Sequence, residues 1–182
     1  MFPLRNISSE DGHFRCTIHD GIEFSNAIRR AVISETTSYA PAEVDIEINT
    51  SCQTNEYIAH RIGLIPFCQN GLSEDVTVTL HVKDRPATTD DIVGDAKAHK
   101  KITIMKMMQG QELKLKVYFK KGKGSMHSRW CPIAACSHFI DDNDPNIIHF
   151  KFEMINDTDP IDVMKNAILN LHQKLEKLKS HP

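Results

Sequence analysis

The sequence holds no apolar run that approaches the roughly 20 residues needed to cross a bilayer as a helix, which excludes a helical membrane protein. It has no Cys-x-x-Cys pair, and its five cysteines (Cys16, Cys52, Cys68, Cys131 and Cys136) are an odd number. With seven methionines beside them, they fit free thiols in a reducing compartment rather than a disulfide framework. No repeat or low-complexity block occurs, so a solenoid or linker-like chain is excluded. There is little excess of charge either. A formal net charge of −2 gives no global reason for nucleic acid to be the main partner. A secretory leader is also missing, because Arg5 interrupts "MFPLRN" before an apolar region develops. A soluble intracellular protein is expected.

What is present is the composition of an ordinary folded chain, 40% apolar and 25% charged over 182 residues. A chain this long buries roughly 70% of its unfolded surface. In "FSNAIRRAVISETTSYAPAEVDIEINTS", Phe24, Ala27, Ile28, Ala31 and Val32 recur at helical spacing, with Arg29 and Arg30 in their midst. The alternation in "EVDIEI" then predicts a half-buried strand. "TNEYIAHRIGLIPF" predicts a short helix capped by Thr54 and ended at Gly63, with Pro66 preventing its resumption. "VTVTLHV", "LKLKVYF", "ITIMKMM", "CPIAACSHFI" and "NIIHFKFEMI" read as strands. "KDRPATTDDIVGDAKAHK" reads as a polar connection, and "KKGKGS" as a turn with a basic edge.

The clearest pattern comes last. Asp159 is placed to cap a helix and Pro160 to occupy its first position. Ile161, Met164, Ile168, Leu171, Leu175 and Leu178 then follow at spacings of three and four, an a/d-type seam. Such a helix is marginal alone in water, and each Leu or Ile it buries contributes roughly 1.5–3 kcal/mol. The seam therefore needs a cover, from the chain's own sheet or from a partner. Periodicity does not separate the two.

Other chemistry finds little support. "KKGKGS" is no P-loop, because Lys123 is followed by Gly124 rather than Ser or Thr. His127, Cys131, Cys136 and His138 lack the spacing of common zinc ligands, so no metal is expected. Asp141, Asp142 and Asp144 cluster without EF-hand spacing. No residues form a catalytic constellation and no cofactor is implied. The stretch Lys114, Lys116, Lys120, Lys121, Lys123 and Arg129, with Tyr118 and Trp130 interleaved, is the one feature fitting a stand-alone nucleic-acid-binding protein. That stays open as the alternative function.

Read in order, "FSNAIRR", "EVDIEINTS", "NEYIAHRIGLIPF", "GQELKLKVYFKKGKGSMHSRWCPIAA" and "DPIDVMKNAILNLHQKLEKL" resemble the alpha-type assembly subunits of cellular RNA polymerases. The likeness is to the archaeal D subunit and the third-largest subunit of eukaryotic RNA polymerase II, and the length suits a compact or virus-encoded version. The resemblance implies an α+β fold: a discontinuous dimerisation domain, two helices on an antiparallel sheet, at 1–42 and 134–182, with an inserted β-rich domain at 43–133. It implies a non-catalytic assembly subunit in the nucleus or cytoplasm, in the virion or viral factory for a viral version. The implied partners are the small alpha-like subunit, the second-largest subunit and small zinc-binding subunits, with DNA met only indirectly.

The implied heterodimer interface comprises Phe24, Ile28, Arg29, Arg30, Val32, Ile161, Met164, Ile168, Leu171, Leu175 and Leu178. Contacts to the second-largest subunit are implied at His60, Arg61, Lys121 and Lys123. Read without the resemblance, Arg29 and Arg30 lie on a solvated helix face, with Asn26 and Ser34 on either side. Relatives often carry a cysteine-rich metal loop after "GLIP". Here "FCQNGLSEDV" holds only Cys68.

Overall fold

A computed structural model describes residues 3–180; the outermost residues of the expected dimerisation domain, 1–2 and 181–182, lie outside the described residues. Along the chain run β1 (Leu4–Glu10), β2 (His13–Ile18), α1 (Ile22–Ser34), β3 (Thr37–Asn49), α2 (Asn55–Gly63), β4 (Thr77–Lys83), β5 (Ala87–Thr88), β6 (Ile92–Gly94), β7 (Thr103–Met105), β8 (Glu112–Lys123), β9 (Ile133–Ile140), β10 (Ile148–Met154) and α3 (Pro160–Lys179). The fold is α+β, with antiparallel sheets and three α-helices among the described residues. Two compact units form. One takes the chain up to Thr37, Lys123–His127 and everything from Cys131 onward; the other takes Ser38–Gly122 and Ser128–Trp130.

The first unit is a four-stranded sheet in the order β1-β2-β10-β9. Its hairpin β1–β2 turns at Asp11 and Gly12, with φ of 49° and 75°. Positive φ at both central residues matches the twist of the flanking strands, and Asp-Gly is the dipeptide that tolerates it. The sequence reading placed no strand before α1; the Asp-Gly signal was there and went unused. A register shift between Arg5 and Ser8 bulges β1, with Asn6 at φ 50°.

Alternation along the strands turns Phe14, Cys16 and Ile18 of β2 and Ile148, Phe150, Phe152 and Met154 of β10 onto one face. Phe14 and Phe152 stack there with ring centroids 4.8 Å apart. Ile28, Ala31 and Val32 of α1 and Val163, Met164 and Ala167 of α3 close this core from above, and the two helices pack against each other. Asp159 caps α3, its Oδ1 accepting from Ile161 N at 2.9 Å, with Pro160 at the start of the helix as expected.

The second unit carries a sheet in the order β3-β8-β4-β6 and a β5–β7 ribbon. Strict alternation in β8 buries Leu113, Leu115, Val117 and Phe119, and in β4 Val78, Leu80 and Val82. Ile58 and Ile62 of α2, one turn apart, pack into this core. Phe67 meets Phe119 edge to face, with centroids 4.9 Å apart. α2 starts where Thr54 caps it, the hydroxyl accepting from Tyr57 N at 3.4 Å.

Three expectations change here. The "polar connection" after β4 contains β5 and β6, and β6 pairs with β4 as an edge strand. It is only three residues long, too short to show a period. "ITIMKMM" yields only Thr103–Met105. Only the end of "KKGKGS" is a turn, because β8 runs through to Lys123 and the turn takes up Gly124, Ser125 and Met126.

Candidate partner interface

α1 is amphipathic, and its two halves have separate uses. Ile28 and Val32 are fully buried in the chain's own core, and Phe24 is half-buried against it. The side chain of Arg29 lies along the helix, its Nε and Nη2 donating to Asn26 Oδ1 at 3.2 and 2.9 Å. Arg30 is exposed, and its guanidinium has no hydrogen bond or ion pair among the described residues. Ala27, Ala31 and Ser34 of α1 and Leu171 of α3 line a shallow groove beside it.

On α3 the seam divides by depth. Met164 is buried, and Ile168 and Leu171 pack half-buried on the first unit's core. Ile161, at the start, is 37% exposed. Leu175 and Leu178 continue the same stripe but are 51% and 71% exposed, and from His172 to Ser180 every residue faces solvent. The helix is 20 residues long, about 30 Å at 1.5 Å per residue. The apolar stripe therefore continues beyond the part of α3 that packs on the chain's own core. Leu169, absent from the sequence-based seam, adds a further exposed apolar side chain.

A charged knot holds the base of this surface. Glu35, the C-cap of α1, has a side chain only 12% exposed and pairs with Lys123 Nζ at 3.3 Å and with Lys174 of α3. Asn170 Nδ2 donates to its carbonyl at 3.3 Å. Lys174 first, then Lys123, holds the Glu35 carboxyl below its ordinary range, against the opposing effect of burial. Lys123, expected to reach another subunit, thus also pairs inside the first unit. No sequence pattern points to Glu35.

In the "KGKGSMHSRW" segment the glycines answer a steric requirement. A Cβ on Gly124 would sit 2.2 Å from the Ile33 carbonyl oxygen, and one on Gly122 would sit 2.3 Å from the Trp130 ring. Ser125 N donates to Ser34 O at 3.0 Å. Trp130 Nε1 donates to Lys120 O at 2.8 Å, and Arg129 donates to Pro41 O at 2.8 Å. Glycine is needed where backbone and ring approach this closely.

The remaining expected contacts fall differently. His60 is exposed on α2. Arg61 ties α2 to β7, donating to Ile104 O at 2.8 Å and Thr103 O at 2.7 Å, with its guanidinium 5.9 Å from the Tyr57 ring centre. Lys121 is exposed, its Nζ 5.9 Å from the centre of the Tyr39 ring.

Four of the six cations of the basic stretch, Lys114, Lys116, Lys120 and Lys123, have carboxylate partners. Lys114 and Lys116 both reach Glu47, at 2.6 and 3.1 Å, and Lys120 pairs with Glu43, so the acidic residues of "EVDIEI" face the lysines of β8. Paired in this way, they do not form a free cationic row for a phosphate backbone. His138 Nδ1 meets the fully buried Ser25 Oγ at 2.8 Å. Burial pushes the Cys136 thiol up to about 12, as it does Cys16. Among the described residues no His, Cys, Asp and Glu side chains gather in a metal-holding group.

α1 and most of α3 lie within the segment that comparison with known proteins picks out. Residues 17–175 match the RNA polymerase Rpb3/Rpb11 dimerisation domain. The chain belongs to this family. It is 32% identical over 160 residues to the DNA-directed RNA polymerase subunit Rpo3 of Methanocaldococcus jannaschii, covering 85% of this chain and 82% of that one. It is 30% identical over 205 residues to subunit 3 of RNA polymerases II, IV and V of Arabidopsis thaliana, covering 90% of this chain. Against the RNA polymerase II subunit rpb3 of Dictyostelium discoideum, identity is 28% over 151 residues. The chain spans 64% of the Arabidopsis relative's length. The Rpb3/Rpb11 match begins in β2 and ends within α3, so the dimerisation-domain family takes in the α1–α3 pair and everything between them.

Proposed function

We propose that the chain is the alpha-like subunit of a DNA-directed RNA polymerase, a non-catalytic assembly piece that pairs through α1 and α3 with a small alpha-like subunit. In this reading the first unit is the dimerisation domain and the second is the inserted β-rich domain. The observation that carries it is the apolar stripe of α3 continuing to Leu175 and Leu178 beyond the chain's own core. An exposed stripe in line with a buried one is what a helix shows when another molecule completes its cover.

Arg30, exposed beside the α1–α3 groove, supports either a place in that interface or a contact to the second-largest subunit, its planar fork suited to a carboxylate or a pair of carbonyls. His60, Arg61, Lys121 and Lys123 are the candidates for that contact; His60 and Lys121 are exposed, while Arg61 and Lys123 also bond within the chain. Small zinc-binding subunits and indirect contact with DNA belong to the same assembly. An intracellular location follows from polymerase membership. Among the described residues no helix is long and apolar enough to cross a membrane.

The test is co-expression with a small alpha-like subunit. The wild-type chain is expected to elute with it as a 1:1 complex. Leu175→Asp with Leu178→Asp removes about 3 kcal/mol or more of apolar burial, at least a hundredfold in Kd, and the complex should separate on size exclusion. A complex that survives the double change overturns the reading.

A further inference from the structure

The face of the first unit's sheet turned away from α1 and α3 carries a charge arrangement that the proposed dimer does not use. The register pairs Ser8 with Arg15, Arg15 with Lys151, and Lys151 with Ser137. These four side chains form one row across all four strands, and all are exposed. Two cations therefore stand directly opposite each other on an antiparallel pair, an arrangement that costs stability.

The second unit handles strand cations in the opposite way. Lys114 and Lys116 are each given Glu47, and Lys83 has Glu112 at 3.7 Å. Arg15 and Lys151 have no ion pair among the described residues, although Glu10 and Glu153 stand one row away beside His13. On β9 the outward residues Ala135 and Ser137 are small, and they leave a hollow beside the two cations.

We infer that this row is a docking site for the carboxylates of an extended acidic segment of a partner protein. Arg15 offers a fork for one carboxylate and Lys151 a compact charge for the next, with Ser137 and Ser8 as hydroxyl donors. A strand-like segment repeats its side chains on one face every second residue, about 7 Å, so alternate acidic residues can face this row while the small residues between them point away from the sheet. The adjacent carboxylates of Glu10 and Glu153 disfavour the uninterrupted negative charge of a nucleic-acid backbone. The site lies on the opposite face from the dimer helices, so it stands or falls independently of them.

Fluorescence anisotropy of the full chain with a labelled peptide of alternating Glu and Ser tests the inference. Binding should weaken about tenfold in Arg15→Gln with Lys151→Gln, the scale of a lost exposed charge contact, and stay within about twofold in Lys114→Gln. The melting temperature of the double variant should hold or rise, because relieving a like-charge pair removes a cost. Undiminished peptide binding in the double variant overturns the site. So does a fall in its melting temperature, which would make the pair structural. A single-stranded oligonucleotide that displaces the peptide and depends on the same two residues would assign the row to phosphates, and overturns it too.

Discussion

The two units treat their apolar and charged groups differently. In the second, the apolar residues of α2 that point inward, Ile58 and Ile62, are fully covered, and the lysines of β8 meet carboxylates on β3. In the first, α3 carries its stripe beyond the chain's own core to Leu175 and Leu178, Arg30 stands unpaired among the described residues, and Arg15 faces Lys151. The second unit meets its inward apolar residues and most of its strand lysines internally, although Val93 and Met108 stay 69% and 77% exposed. The other leaves several exposed at a cost, and residual apolar surface and unpaired like charges in a folded protein usually mark where another molecule binds.

Truncating the closed core should have the largest effect on the fold. Phe119→Ala in the second unit should cost about 3–5 kcal/mol in denaturant unfolding, whereas Leu175→Asp with Leu178→Asp should change the stability of the chain by no more than about 0.5 kcal/mol while abolishing partner binding. Equal losses of stability from the two would erase the contrast. Gly124→Ala comes next. Its methyl would press on the Ile33 carbonyl, and a loss of about 1–3 kcal/mol is expected, read as a lower melting temperature; an unchanged melt would show that the turn yields freely.

The smallest effect concerns Glu35. Its carboxyl is held below its ordinary range by Lys174 and Lys123, so its contribution is fully present above the unfolded carboxylate range, near pH 4.5. That contribution is lost as pH falls through the depressed folded value. Glu35→Gln should therefore lower stability at pH 7 and flatten the acid limb of the stability profile. An identical acid limb in variant and wild type would remove Glu35 from the account.

Much of this fold was legible. The three helices follow from periodicity and caps, and long alternating segments such as "LKLKVYF" show their strands plainly. The β1–β2 hairpin could have been found from Asp11-Gly12 but was not, because its strands alternate weakly and β1 carries a bulge. β6 is three residues of edge strand and exists only because β4 is there to pair with it. The basic stretch looked free in one dimension because Glu43 and Glu47 lie some seventy positions earlier in the chain.

The order of residues determined by itself where helices begin, which side of each strand is apolar, and that a seam at the chain's end requires burial, since these depend on neighbours a few positions apart. Only the tertiary structure decided how far that seam is covered from within, that Met164 sinks while Leu178 remains in water, and that Glu35 rather than an arginine locks the helix pair. Burial and charge pairing are set by distances in space, and those come from where the sheet ends and which strands lie abreast.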